Sequence, residues 1–469
     1  MNILSITAGA AGMYCGSCLR DNSQARELLR RDHRVTLLPL YTPTSPDETN
    51  VSEKRVLFGG ISIYLQQYVP LFRKTPRFLD RLLDNPRIIN LFASRSISTD
   101  PRLLGEMTVS MLEGERGVLR KEFDKLLDWL RDEPVPDIVN LPNSLLISLA
   151  APLKRALQRP IVCTLQGEDL FLNGLVEPYR GKALDMIARQ VRDVDMFLAV
   201  SEYYVPTMAK MLAIPRERIA VVPLGIDLTG YESRRSGEAA KADESRRSGE
   251  AAKADVFRIG YFARVSPEKG LHLLAEAYKR LRARTPGVAM RLDAAGWMSP
   301  AQAPYLEEIK QSLAADGFGG EFTYHGAVDR DAKLAFLRSL DVMSAPATYD
   351  EPKGVSIIEA MAVGVPVVQP RRGSFTEMVE QTGGGLLVPP DSAEALADGL
   401  FTLWRDRDLA ARLGRQGFDG VRRYYSIDRS IDRLLEVYSD VIARSTGSDF
   451  RLPSTPLGPG KAEATGRSS

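Results

Sequence analysis

A chain of 469 residues exceeds one ordinary domain, and 44% hydrophobic with 26% charged residues suits a globular protein with sizeable cores. A formal charge of +2 leaves no basic footprint for nucleic acid, and three cysteines cannot build a disulfide framework. The amino terminus enters a short apolar run, Ile3-Leu4-Ser5-Ile6, with no basic segment before it, and no stretch approaches the ~20 apolar residues of a membrane span. A cytoplasmic protein in a reducing compartment is expected.

Apolar, β-branched runs alternate with helical patterns along the chain, which predicts parallel strand–helix–strand units. The first half carries strands at Ile3–Thr7, Val35–Pro39, Asp137–Leu141, Ile161–Leu165, Met196–Val200 and Ile219–Val222, with helices at Arg20–Arg31, Ser144–Leu157 and Val205–Leu212. Thr42–Pro136 interrupts this pattern with apolar-plus-basic patches such as Phe72–Phe78, either an acceptor or peripheral membrane contact or the solvated faces of inserted helices. The pattern restarts with strands at Phe257–Phe262, Ala289–Ala294, Glu321–Tyr324, Val342–Ser344, Pro366–Val368 and Gly385–Val388. Two successive Rossmann-like, doubly wound domains fit better than one very wide sheet.

The expected division is therefore residues 1–226, a linker at 227–255, a second domain at 256–424, a helix at 425–445 that crosses back to the first domain, and a disordered tail at 446–469. Within the linker, Glu232–Asp243 and Glu244–Asp255 are the same twelve residues twice. That unit has almost no large apolar residue, cannot offset its ordering entropy by burial, and reads as an exposed insertion.

Three stretches can carry chemistry. In Tyr349-Asp350-Glu351-Pro352-Lys353-Gly354-Val355, a turn after a strand leads into a helix over Ser356–Ala362, whose amino terminus offers free N–H groups to an anion. Glu359 lies on that helix, where a carboxylate can accept both hydroxyls of a ribose, and Glu351 on the loop can reach sugar hydroxyls. Phe257–Phe262 delivers Arg264 to the carboxyl edge of the second sheet, with Lys269 and Gly270 just beyond. Two cations there suit a diphosphate leaving group, whose charge grows as its bond breaks.

The first strand runs into a glycine-rich turn, Ala8–Cys18, with Gly12 and Gly16. It can bring N–H groups to a donor phosphate or frame the acceptor pocket, and it has neither a dinucleotide fingerprint nor a P-loop. Cys15 and Cys18 form a lone Cys-x-x-Cys, read as small loop residues rather than as a redox or zinc site. His33 and His272 read as structural, and His325 ends a strand. Three histidines support neither a triad nor a metal centre, so no metal and no cofactor is expected.

These residues resemble glycosyltransferase family 4 (group 1), most strongly from Val200 to Pro390, through Val222–Asp227, the Arg264/Lys269 pair, the Glu351/Glu359 pair and Gly373–Glu377. The resemblance implies the GT-B fold, two facing Rossmann-like domains with an interdomain cleft. It also implies retaining, metal-independent transfer of a hexose from a nucleotide diphosphate sugar to a glycan, lipid or small-molecule acceptor. By it, Arg264 and Lys269 hold the diphosphate, Glu359 the ribose, Glu351 with the Gly354–Val355 backbone the sugar, and His325 to Val328 flank the base. Gln166-Gly167-Glu168-Asp169 stands where many members have His-Gly-x-Asp, so Gln166 and Asp169 contact sugar or acceptor, but Gln166 carries no proton. Lys353 stands where Phe is common. Glu351-Pro352 followed by Gly354 resembles sucrose-phosphate-synthase-like transferases and favours a UDP-sugar. The rival readings are a non-catalytic nucleotide-sugar-binding protein and a sugar-nucleotide epimerase of similar architecture.

Overall fold

The computed structural model describes residues 1–9, 16–44, 46, 48–58, 101–232, 256–445 and 447. Gly12, Cys15, the Phe72–Phe78 patch, residues 233–255 of the duplicated stretch and nearly all of the tail lie outside them.

All twelve expected strands form, with ends shifted by no more than two residues. In the first domain these are β1 (Asn2–Thr7), β2 (Arg34–Pro39), β3 (Ile138–Leu141), β4 (Ile161–Leu165), β5 (Met196–Ala199) and β6 (Ile219–Val221). The second contains β7 (Phe257–Phe262), β8 (Met290–Ala295), β9 (Phe322–Tyr324), β10 (Val342–Met343), β11 (Val367–Pro370) and β12 (Gly385–Val388). Each set makes one parallel six-stranded sheet, ordered β2-β1-β3-β4-β5-β6 and β12-β11-β10-β7-β8-β9. The strand order reverses between β1 and β3 and between β7 and β10. Ligands of open parallel sheets settle at such reversals, outside the carboxyl edge. The glycine-rich turn follows β1, the Arg264–Gly270 loop follows β7 and the Glu351 loop follows β10.

The helices on the first sheet are α1 (Gly16–Arg30), α2 (Pro101–Glu113), α3 (Arg120–Leu130), α4 (Ala150–Leu157), α5 (Asp169–Gly174), α6 (Tyr179–Gln190) and α7 (Tyr204–Leu212). On the second sheet they are α8 (Leu271–Arg284), α9 (Ala303–Ala315), α10 (Arg330–Arg338), α11 (Val355–Ala362), α12 (Gly373–Thr382), α13 (Ala393–Arg405) and α14 (Arg407–Tyr424), and α15 (Ile427–Ser445) comes last. The expected single helix over Ser144–Leu157 is instead a 3-10 turn, Ser144–Leu149, followed by α4. Asn143 accepts from Leu145 N, and Glu168 takes both Ser144 N and Oγ at 3.0 Å, which tightens that entry. Pro152 then sits in the first turn of α4, where a missing N–H costs little.

Strands β3, β4 and β5 are buried at every position, as parallel strands covered on both faces must be. One face of the first sheet, with Ile3, Ile138, Val162 and Leu198, packs against α15 through Ile427, Ile431, Leu434, Tyr438 and Val441. Those spacings of three and four residues make one helix face. Around this contact Arg30 and Arg31 at the end of α1 pair with Asp428 (2.9 and 3.0 Å), and Arg31 also pairs with Asp432 (2.6 Å). The two crossings between domains lie side by side: Ile226 N donates to Tyr425 O and Ile427 N to Ile226 O, both at 2.9 Å. Among the described residues no helix is long and apolar enough to cross a membrane.

Candidate functional site

The second domain supplies a charged cluster at its carboxyl edge. Gly270, in the left-handed region (φ 77°), ends the short turn Pro267–Lys269 and aims Lys269 towards the loop after β10. Lys269 Nζ donates to Tyr349 Oη at 2.6 Å and pairs with Glu351 Oε2, and Tyr349 Oη donates to that same oxygen. Lys353 N reaches Glu351 Oε1 at 3.3 Å. Burial alone would raise the Glu351 carboxyl, but the Lys269 charge, with the Lys269 and Tyr349 hydrogen bonds, brings it down to about 2. Glu351 is therefore an anion at every physiological pH. Arg264 is nearly half exposed and donates to Glu268 Oε1 at 2.6 Å. The two cations expected on one diphosphate thus each hold a different carboxylate.

The loop is fixed by close approach. Gly373, at φ 53°, opens α12 so near the main chain of Glu351 that a Cβ would lie 2.6 Å from its N and O. Ser374 N donates to Glu351 O at 2.8 Å. Gly354, at φ 59°, caps α11, and a Cβ there would meet Met378 Sδ at 2.7 Å. Val355 is the first residue of α11, and Glu359 lies on that helix. Glu359 is buried, and Tyr231 Oη donates to its Oε1 at 2.9 Å, the same oxygen that Lys333 Nζ approaches at 2.9 Å. His325 Nε2 meets Asp293 Oδ1 at 3.0 Å after β9, with its ring against Phe336, and Val328 is half-buried in the turn that follows.

The first domain faces this cluster across the cleft. Gly16 opens α1 with open space where a Cβ would stand, and Ser17 Oγ accepts from Lys353 Nζ at 2.9 Å. After β4, Gln166 is buried and its Nε2 donates to Pro142 O at 2.7 Å. Gly167, at φ 108°, lies against Pro352, 3.2 Å from where its Cβ would be. Asp169 Oδ1 accepts from Tyr204 Oη at 2.6 Å. Burial raises the Asp169 carboxyl, the Tyr204 hydrogen bond opposes this, and the negative charge of Glu351 adds to it. Burial likewise raises Glu168. Ser201 Oγ donates to Pro352 O at 3.2 Å, and Glu377 accepts from Glu202 N and Tyr203 N at 3.2 and 3.0 Å, so both domains meet around the Glu351 loop.

The structure thus gathers Lys269, Glu351, Gln166 and Asp169 around one cleft, with Glu359 on the helix that the Glu351 loop opens. His325 and Val328 stand at the end of β9, and Gly12 lies outside the described residues. Sequence reasoning missed Tyr349, Lys333, Tyr231 and Tyr204. Tyr349 was in view two places before Glu351, and Lys333 shares its helix face with Leu337 four residues on. Tyr204 and Tyr231 carry no local signal.

Two family models match the chain: one described as glycosyl transferases group 1 over residues 243–419, and glycosyltransferase family 4 over 108–229. The D-inositol 3-phosphate glycosyltransferase of Nocardia farcinica is 27% identical, over 61% of this chain and 62% of its own length. A GDP-mannose-dependent α-(1-6)-phosphatidylinositol monomannoside mannosyltransferase of Mycobacterium tuberculosis is 28% identical, over 53% of this chain and 63% of its own. The chain therefore spans less than two thirds of these curated relatives. Among solved structures, the sucrose-phosphate synthase of Thermosynechococcus elongatus superposes with a TM-score of 0.68 at 17% identity, covering 95% of this chain and 100% of that one. HepE of Anabaena, in complex with UDP, gives 0.64 at 20% identity, over 94% of this chain and 100% of that one. At such identities the two structures speak for the fold, two facing parallel-sheet domains.

Proposed function

Because the chain belongs to the group 1 glycosyltransferases, we propose that it moves a hexose from a nucleotide diphosphate sugar, a UDP-sugar by preference, to an alcohol oxygen with retention of configuration. The observation that carries this reading is the Lys269–Tyr349–Glu351 cluster, set on the reversal of one sheet and facing Asp169 and Gln166 on the other. In the proposed reaction the bond from the anomeric carbon to the diphosphate breaks as the acceptor oxygen attacks from the same face. The departing phosphate oxygen takes the acceptor's proton. Lys269 and Arg264 stabilise the growing negative charge, and the N–H groups opening α11 help. Glu351, anionic throughout, accepts hydrogen bonds from sugar hydroxyls and donates no proton. Glu359 takes the ribose hydroxyls. The activities for which the two curated relatives are named support an inositol-type polyol, free or lipid-linked, as the acceptor.

The test is release of nucleoside diphosphate from UDP-glucose and GDP-mannose, with and without candidate acceptors. Release that depends on the acceptor is expected. Tight donor binding with no release under any acceptor would favour a binding protein, and isomerised donor an epimerase. With Lys269 and Arg264 supplying the positive charge, turnover is expected to survive excess EDTA. Full loss restored by a divalent ion would overturn that and bring Asp350 or Asp169 forward as ligands.

A further inference from the structure

The segment that leaves the first domain is fastened to the second by cations. Asp227 pairs with Arg26 of α1, while Arg330 Nη2 donates to the main-chain oxygens of Asp227 (3.2 Å) and Thr229 (2.8 Å). Arg338 holds Gly230 O, and Arg422 holds Tyr231 O. These contacts drive the Tyr231 ring into the second domain until it is 2% exposed, with the Arg330 guanidinium 5.6 Å from its centre. Its hydroxyl then donates at 2.9 Å to Glu359 Oε1, which Lys333, only 3% exposed, also approaches at 2.9 Å. A phenylalanine would fill the same volume. The hydroxyl adds one thing, a second donor on one oxygen of a buried carboxylate.

We infer that Tyr231, with Lys333, is a positioning residue for donor recognition: it locks the Glu359 carboxylate through Oε1 so that Oε2 meets the ribose hydroxyls of the nucleotide. This rests on the reading that Glu359 is the ribose ligand. Two donors on one oxygen remove the carboxylate's rotational freedom before any ligand arrives, and affinity gains from such preorganisation. Since Tyr231 belongs to the crossover segment, a complete ribose site requires that segment to be seated. Nucleotide affinity and the interdomain connection are thereby linked through one hydroxyl.

The experiment is calorimetric titration of the full chain with UDP, GDP and ADP, then with the 2′,3′-dideoxy form of whichever binds. Tyr231→Phe is expected to weaken the ribonucleoside diphosphate by ~10-fold, the scale of one hydrogen bond to a charged group, and to leave the dideoxy form unchanged. In turnover, KM for the donor should rise with kcat within about twofold, as loss of uniform binding requires. On a Glu359→Gln background the same change should add nothing. Unchanged affinity in Tyr231→Phe, or equal weakening of the ribo and dideoxy ligands, overturns the inference while leaving the donor reading intact. Failure of the wild-type chain to bind any of the three diphosphates removes the donor reading, and this inference with it.

Discussion

Lys269→Met is expected to lower turnover by ~10²–10³, the scale of removing one preorganised group that stabilises charge in the transition state. It should also cost about 3–5 kcal/mol of stability, because it leaves the buried Glu351 carboxylate without its cation. The two losses separate in a second variant. Lys269→Met with Glu351→Gln removes the orphaned charge, so most of the stability should return while turnover stays low. Arg264→Ala provides the opposite contrast: its guanidinium is nearly half exposed, so turnover should fall on the same order with the melting temperature nearly unchanged. The pH dependence has a definite sign. Glu351 titrates at about 2 in the folded chain against an ordinary 4.5, so its pairing stabilises the fold above that ordinary value and is lost as pH falls towards 2. Melts of the wild type should therefore drop across that interval more steeply than those of the double variant. Near-normal turnover in a folded Lys269→Met would take Lys269 out of the reaction.

Asp169→Asn is expected to reduce turnover on the order of 10-fold, the scale of losing a charged acceptor of a sugar or acceptor hydroxyl, without lowering the melting temperature. The asparagine side-chain oxygen still accepts from Tyr204 Oη, so local geometry survives. The charge does not, and that charge opposes folding at neutral pH. Burial raises the folded Asp169 carboxyl above its ordinary 3.8, so the folded chain binds more protons there and stability falls as pH rises past that value. An amide lifts this penalty. Glu168→Gln makes the necessary contrast, since Glu168 is also buried but holds Ser144 N, Ser144 Oγ and Gln166 N and so shapes the loop. That variant should melt lower. Full activity in Asp169→Asn would make Asp169 a structural partner of Tyr204 and nothing more.

The strands were legible because parallel strands buried on both faces must be near-continuous apolar runs, and Ile161–Leu165 or Phe257–Phe262 can be little else. Candidate residues were legible where a strand end, a glycine and a charge coincide, as at Arg264–Gly270 and Glu351–Gly354. What one residue does to another was not. Lys269 and Glu351 suggested themselves for separate tasks, on phosphate and on sugar, yet they share one hydrogen-bonded cluster 82 positions apart. Local spacing carries no information across such a separation. Lys333 lies in a charged stretch, Arg330-Asp331-Ala332-Lys333, and although its helix face with Leu337 points inward, the carboxylate it meets comes from α11 and leaves no local trace. The pairing of Lys353 with Ser17 is hidden for the same reason, since its two halves come from different domains.

The seating of α15 has a consequence for how the chain comes to be folded. Ile3, Ile138, Val162 and Leu198 on one face of the first sheet are covered by a helix that follows the whole second domain in the chain, so β1 to β6 emerge from the ribosome long before the residues that shield them. The second sheet has no such wait, because its helices lie within its own stretch of chain. The half made first is thus the half completed last, and its apolar face stays open to solvent or chaperone throughout the interval.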